Sequence, residues 1–193
     1  MTSMPSSPAL SELEPVRFEA PLGELEAFHT AGGLSTMVYR YAGKIPTMEY
    51  KTLRYPGHAR IMEAIRGLGL LDTTAVDVKG QSVVPREVFV RVAGEKLRMG
   101  KPDLVALRVV VTGTKHGQRS SRAWELVDRF DAQRGITAMM RTTGYTLSIT
   151  GQLQASGAIA PGVHTPDECI PAEQYFALLA ERGVKIREVA VVS

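Results

Sequence analysis

The 193-residue sequence has a single cysteine, Cys169, which excludes an internal disulfide and any site built from several thiolates. A lone thiol suits a reducing compartment, so the expected location is cytoplasmic. Uninterrupted apolar runs are short, such as VVV at 109–111, and no membrane span is expected. The opening MTSMPSSPALSELEP has no basic segment leading into an apolar one, so it does not read as a secretory signal. Its Ser, Pro and Thr content makes residues 1–14 a flexible leader to a domain over 15–193.

Strong charge is missing as well. Lys and Arg number 23 against 20 Asp and Glu, a net charge of +3, which is mild for a nucleic-acid binder. The densest basic stretch, KHGQRSSR at 115–122, has no aromatic residue to stack on bases. It reads as a solvated hairpin loop, and no nucleic-acid partner is expected.

The usual chemical signatures are absent too. No G-x-G-x-x-G offers backbone N–H groups to a pyrophosphate; GLG at 67–69 ends a helix and lacks the third glycine. There is no P-loop, no H-E-x-x-H and no G-x-S-x-G. His29, His58, His116 and His164 are too far apart in sequence to declare a metal site.

What is present suits a soluble core-forming chain, 44% hydrophobic and 22% charged. Strands are expected at 16–20, 24–29, 47–54 and 75–83, where apolar and polar residues alternate. TAGGLST at 30–36 is a bend that opens a helical turn through Met37–Tyr41. In KTLRYPGHARIMEAIRGLGL, Pro56-Gly57 stops a strand, and Ile61, Ile65 and Leu68 then follow helical spacing. Pro85 starts a short helix with Val88 and Val92 inward. Val105, Leu107, Val109 and Val111 make one face of a long strand returning over 122–130, with Ala106, Val110 and Trp124 available for another.

A helix over about 136–156 carries Gly144, Ser148, Gly151 and Ala155 down one side, which suggests close backbone packing. APGVHTPDECIP reads as a loop. Pro171 starts a helix with Ala172, Tyr175, Phe176 and Leu179 inward and Gly183 as its cap, and VKIREVAVV closes the chain as a strand. The fold class is α+β: a mixed, largely antiparallel sheet with helices packed on one face. Apolar residues on both faces of the long hairpin point to a homodimer.

Five segments carry a resemblance, in order: LEAFHTAGGLSTM, KTLRYPGH, VPREVF, MMRTTGY and TPDECIPAEQYFALLAERGVKI. Together they resemble the C-terminal catalytic and substrate domain of the saccharopine dehydrogenase family, most like its L-lysine 6-dehydrogenase branch. The resemblance implies a fold similar to the C-terminal domain of glyceraldehyde-3-phosphate dehydrogenase, often dimeric through its sheet. It implies oxidation of lysine or a lysine-derived amine, with NAD(P) held by a preceding Rossmann domain that is missing from this sequence. The chain is then an excised piece, a truncated gene product or a stand-alone domain, binding no cofactor itself and inactive alone. The alternative is a non-catalytic dimerisation or ligand-binding module that has lost its cofactor half.

The resemblance also assigns roles. Arg54 is the candidate for the substrate α-carboxylate, which a guanidinium grips with two parallel hydrogen bonds; otherwise it caps the sheet. His58, at a helix start that favours the neutral imidazole, is a candidate proton acceptor or a residue bonded to backbone. Tyr55 packs under the substrate or in the core. Thr30, Ser35 and Thr36 contact substrate or serve turn chemistry, and His29 is a lesser candidate for the same pocket. Arg141, Thr142 and Thr143 lie beside the active site, unless Arg141 is a surface ion-pair partner. Met139, Met140, Tyr175 and Phe176 are read as core.

Overall fold

A computed structural model describes residues 7–30, 33–97 and 102–191. The chain divides into two compact units, Met1–Met99 and Gly100–Ser193. The first holds β1 (Glu14–Arg17), β2 (Glu24–His29), α1 (Met37–Arg40), β3 (Lys51–Arg54), α2 (His58–Gly67), β4 (Val76–Val78), β5 (Gln81–Val83) and α3 (Pro85–Leu97). The second holds β6 (Leu104–Lys115), β7 (Gln118–Arg129), α4 (Ala138–Ala155), α5 (Pro166–Cys169), α6 (Ala172–Glu181) and β8 (Ile186–Val189). The class is α+β. The pairings among the described strands are all antiparallel and fall into three small sheets, β1-β2-β3, β4-β5 and β6-β7-β8, rather than one.

In the first unit β2 is the central strand, and every residue after Glu24 is buried. Leu25, Ala27 and Phe28 pack there with Phe18, Leu22 and the Ala59 of α2 as buried apolar residues. The expected strand at 16–20 ends early because the chain turns back at Gly23, where the Phe18 N–H donates to the Gly23 carbonyl at 2.9 Å. The stretch expected to be a flexible leader is partly structured. Leu10 N–H donates to His29 O at 2.8 Å and His29 N–H to Ser11 O at 3.0 Å, so this segment extends the sheet before β1.

The strand expected over 75–83 is a hairpin. Lys79 and Gly80 both take positive φ (55° and 79°), the pattern of a two-residue type I′ turn. Val88 and Val92, expected inward, are about half exposed.

In the second unit β6 and β7 pair over twelve residues around a His116-Gly117 turn, again with both φ values positive. Val105, Leu107, Val109 and Val111 do share a face. Trp124 lies opposite Val109 in the register, so it joins that same face and not the one carrying Ala106 and Val110. α4 packs on β6 and β7 through Ile149 and Leu153, which cluster with Leu126, Ile159, Leu179 and Val184. The loop expected at 160–171 contains the single turn α5, started by Pro166. Tyr175 and Leu179 point inward, but Ala172 and Phe176 are exposed, as are Met139 and Met140. Gly144, Ser148, Gly151 and Ala155 lie on the exposed side of α4, so they do not serve packing on its own sheet.

Candidate functional site

Register decides what the first unit can present. Glu26 lies opposite Arg54 and Phe28 opposite Thr52, and side chains alternate along each strand. Glu26, Phe28, Thr30, Thr52 and Arg54 therefore share one face. The hydroxyls of Thr30 and Thr52 bond each other at 2.7 Å. Gly33 lies against the approach to β3: a Cβ there would come within 1.9 Å of the Tyr50 ring, so a larger residue would have to displace that side chain.

After Arg54 the chain makes a type II turn. Pro56 sits at its second position, Gly57 at its third with φ 97° and ψ −11°, and His58 N–H donates to Tyr55 O at 3.3 Å. Gly57 is also the N-cap of α2 and has no side chain with which to cap it. Glu26 does that work from β2. Its carboxylate accepts from Gly57 N–H at 2.8 Å and from Ala59 N–H at 2.6 Å, satisfying two helix-start donors. The His58 ring stacks on the buried Phe28, with centroids 6.1 Å apart and planes 11° apart.

This leaves Arg54 in an unusual position. It is exposed, and Nη1 donates to the neighbouring Leu53 carbonyl at 2.8 Å. No carboxylate among the described residues bonds it, although Glu26 stands directly across the strand pair. Tyr55 is 60% exposed and is not core. Ser35 (φ 47°) and Thr36 are exposed at the start of α1, and Thr36 makes no side-chain cap.

His29 points to the opposite face of the sheet, away from Arg54, because it is one residue out of phase with Phe28. There it is buried, with Nδ1 3.4 Å from Ser11 Oγ and 3.9 Å from Glu12. Glu12, His29 and Glu49 bring one ligand atom each within 4.8 Å of the others, a grouping that could hold a cation. Lys51 already brings positive charge to it, with Nζ 3.7 Å from Glu12 and 2.9 Å from Glu14. Its members stand far apart in the chain and meet only in the folded unit.

Arg141, Thr142 and Thr143 belong to the second unit, where Arg141 is engaged within the fold. Its Nε donates to Asp128 at 2.9 Å, Nη1 to Asp131 at 3.0 Å and Nη2 to Arg182 O at 3.4 Å. The guanidinium also lies over the Tyr145 ring at 5.5 Å. All three arms of this buried guanidinium are taken by the fold. Nor is it the surface ion pair of the other reading. Thr142 bonds back to Ala138 O at 2.9 Å within α4, and Thr143 lies exposed beside Met139.

The start of α4 is closed in the same manner as that of α2. Asp103 accepts from Ala138 N–H at 2.7 Å and Met139 N–H at 3.0 Å, and Thr137 Oγ1 accepts from Met140 N–H. Burial acts to raise the Asp103 pKa, but the N–H groups of Met139 and Ala138 outweigh it and hold the carboxyl below its ordinary value. The Arg134 side chain lowers Asp131, and Arg122 lowers Glu188. Carboxyls depressed in the folded state stabilise it above their unfolded pKa and lose that contribution as pH falls through the folded value. Stability of the wild-type chain should therefore drop as pH falls below about 4. Asp103→Asn should be less stable at neutral pH and should lose less on acidification. Urea midpoints measured against pH check this, and parallel curves for the two proteins would contradict it.

With the geometry in place, comparison with known families is decisive. The family model of the saccharopine dehydrogenase C-terminal domain matches residues 2–184. The chain belongs to this family. The saccharopine dehydrogenase C-terminal domain assignment reaches into both compact units and covers all the described elements except β8. It also takes in residues 2–14, the stretch read as a leader. Arg54 and His58 were candidates from the sequence; Glu26, which lies opposite Arg54 and bonds the start of α2, was not. The one available signal was an acidic residue set among the apolar positions of LEAFH, a strand expected to be buried.

Proposed function

We propose that the chain is the substrate-binding and dimerisation domain of an NAD(P)-dependent amino-acid oxidoreductase. Its substrate is lysine or a lysine-derived amine, as in saccharopine or lysine 6-dehydrogenases. The observation that carries this reading is the exposed Arg54 guanidinium, bonded by no carboxylate among the described residues, four positions before a histidine braced on Phe28. A zwitterionic substrate supplies the missing carboxylate and takes two parallel hydrogen bonds. His58 then offers an imidazole next to the bound amine, as hydrogen-bond partner or proton acceptor. Thr30 shares the face of Arg54, Tyr55 is the exposed residue that follows Arg54, and Ser35 and Thr36 lie exposed just before α1. NAD(P), when held by a Rossmann domain, supplies the hydride chemistry. Turnover of lysine or saccharopine by the chain fused to such a domain tests the reading.

A second reading, a non-catalytic module, draws on the helix starts. Anions bind where N–H groups at a helix start are free. Glu26 occupies those of α2 and Asp103 those of α4. Under both readings the chain alone should give a flat nicotinamide-fluorescence titration up to millimolar NADH. Saturation in the micromolar range would refute that.

The dimer rests on the β6-β7-β8 sheet. Leu107, Val109 and Val111 on one face and Val110 on the other are each about half exposed. Apolar residues on both faces need cover on both. Light scattering at tens of micromolar should return about twice the 21.0 kDa chain mass; the mass of one chain would count against the dimer.

A further inference from the structure

We propose that Glu26 is a positioning residue that keeps the Arg54 guanidinium free for a carboxylate from solution; the purpose of that free guanidinium rests on the substrate reading above. Residues directly opposite in an antiparallel pair have Cβ atoms about 4.5–5.5 Å apart on one face, where acid and base ordinarily join. Glu26 and Arg54 are such a pair, and they do not join. Glu26 is 9% exposed and turns both oxygens to the start of α2, at 2.8 Å from Gly57 N and 2.6 Å from Ala59 N.

Two charge-assisted bonds at a helix N-terminus, sheltered from water, outweigh one solvent-screened ion pair. Glu24, two residues earlier on the same face, is engaged by Arg17 at 3.3 Å. The turn at Gly57 and the free guanidinium thus have one origin. The same carboxylate fastens the His58 end of the junction and withholds itself from the Arg54 end.

Side-chain length separates this role from simple helix capping. Glu26→Asp keeps the charge but is one methylene shorter, so it cannot reach both N–H groups and falls back on Arg54. Glu26→Gln keeps the length but carries no charge for Arg54, and its NH2 faces one of the two N–H donors. The full chain is treated with p-hydroxyphenylglyoxal, a dicarbonyl that attacks free guanidinium groups. Adducts at Arg54 are followed by mass spectrometry, with the exposed Arg129 as reference.

Arg54 in Glu26→Asp should react about two- to five-fold more slowly than in wild type, the range an exposed ion pair gives. In Glu26→Gln it should react at least as fast as in wild type. Equal Arg54 rates in all three proteins would make Glu26 a helix cap and nothing more. Slowing in both variants would mean lost junction geometry rather than capture by charge. Either result overturns the proposal. A cap alone would lower the melting temperature of both variants without separating their Arg54 rates. The substrate reading fails by a different result, no turnover of any amine by the fused protein, which leaves these rates as they are.

Discussion

Arg141→Ala should destabilise the second unit by about 3–5 kcal/mol, the cost of leaving a buried charge without its partner. Arg141 and Asp128 are each less than a tenth exposed, so water cannot take over their hydrogen bonds. Removing the guanidinium strands the Asp128 carboxylate and takes one partner from Asp131, which retains Arg134 at 2.9 Å. It also frees the Arg182 carbonyl just after α6 and the face of Tyr145. The hydrogen bond to Asp128 raises the Arg141 pKa further, so the charge is present at every pH at which the protein is handled. A domain is commonly stable by about 5–15 kcal/mol, so the variant should sit close to unfolding. Arg141→Lys should recover part of the loss, since one ammonium reaches Asp128 but not all three acceptors. Urea denaturation followed by far-ultraviolet circular dichroism measures both variants. A loss below about 1 kcal/mol for Arg141→Ala would mean that solvent screens the network.

That result bears on how much of the molecule was legible beforehand. Strand and helix types followed from alternation and from the Pro and Gly positions. β2, α2 and the β6-β7 pair lie close to where periodicity put them. The hairpin at 79–80 was missed because Lys-Gly is a weaker turn signal than Asn-Gly, and two three-residue strands look like one. Inward faces were the least legible. Val88, Val92, Phe176, Met139 and Met140 are apolar, yet exposed within their units, and apolar character alone does not say which surface covers a side chain.

The site divides in the same way. Arg54 and His58 stood out as candidates because a strand, a Pro-Gly turn and a helix follow one another in a single stretch. Glu26 lies 28 positions from Arg54, and only the β2–β3 register makes them neighbours. The partners of Arg141 were hidden for a related reason. A lone arginine early in a helix looks free until the strand opposite is known to carry Asp128.

Arg54→Lys should damage substrate binding more than turnover. A planar guanidinium meets a carboxylate with two parallel N–H bonds, whereas an ammonium acts as a point charge on a flexible stem. At an exposed strand end, with β3 fixing the backbone and Glu26 engaged elsewhere, nothing nearby replaces the lost contact. Losing a hydrogen bond to a charged group costs about 1.5–3 kcal/mol, or about ten- to a hundred-fold in affinity. The effect should fall on KM for substrates with a free α-carboxylate, and a decarboxylated diamine should distinguish the variant from wild type far less. Structural damage at the junction would instead weaken all amines alike and would lower the melting temperature. The deciding measurement is KM for lysine and for saccharopine in the chain fused to an NAD(P)-binding domain, wild type against Arg54→Lys. The expected result is a rise of about ten-fold or more with kcat changed much less. An unchanged KM for every amine tried would make the junction a structural turn and contradict the assignment of Arg54 to the substrate.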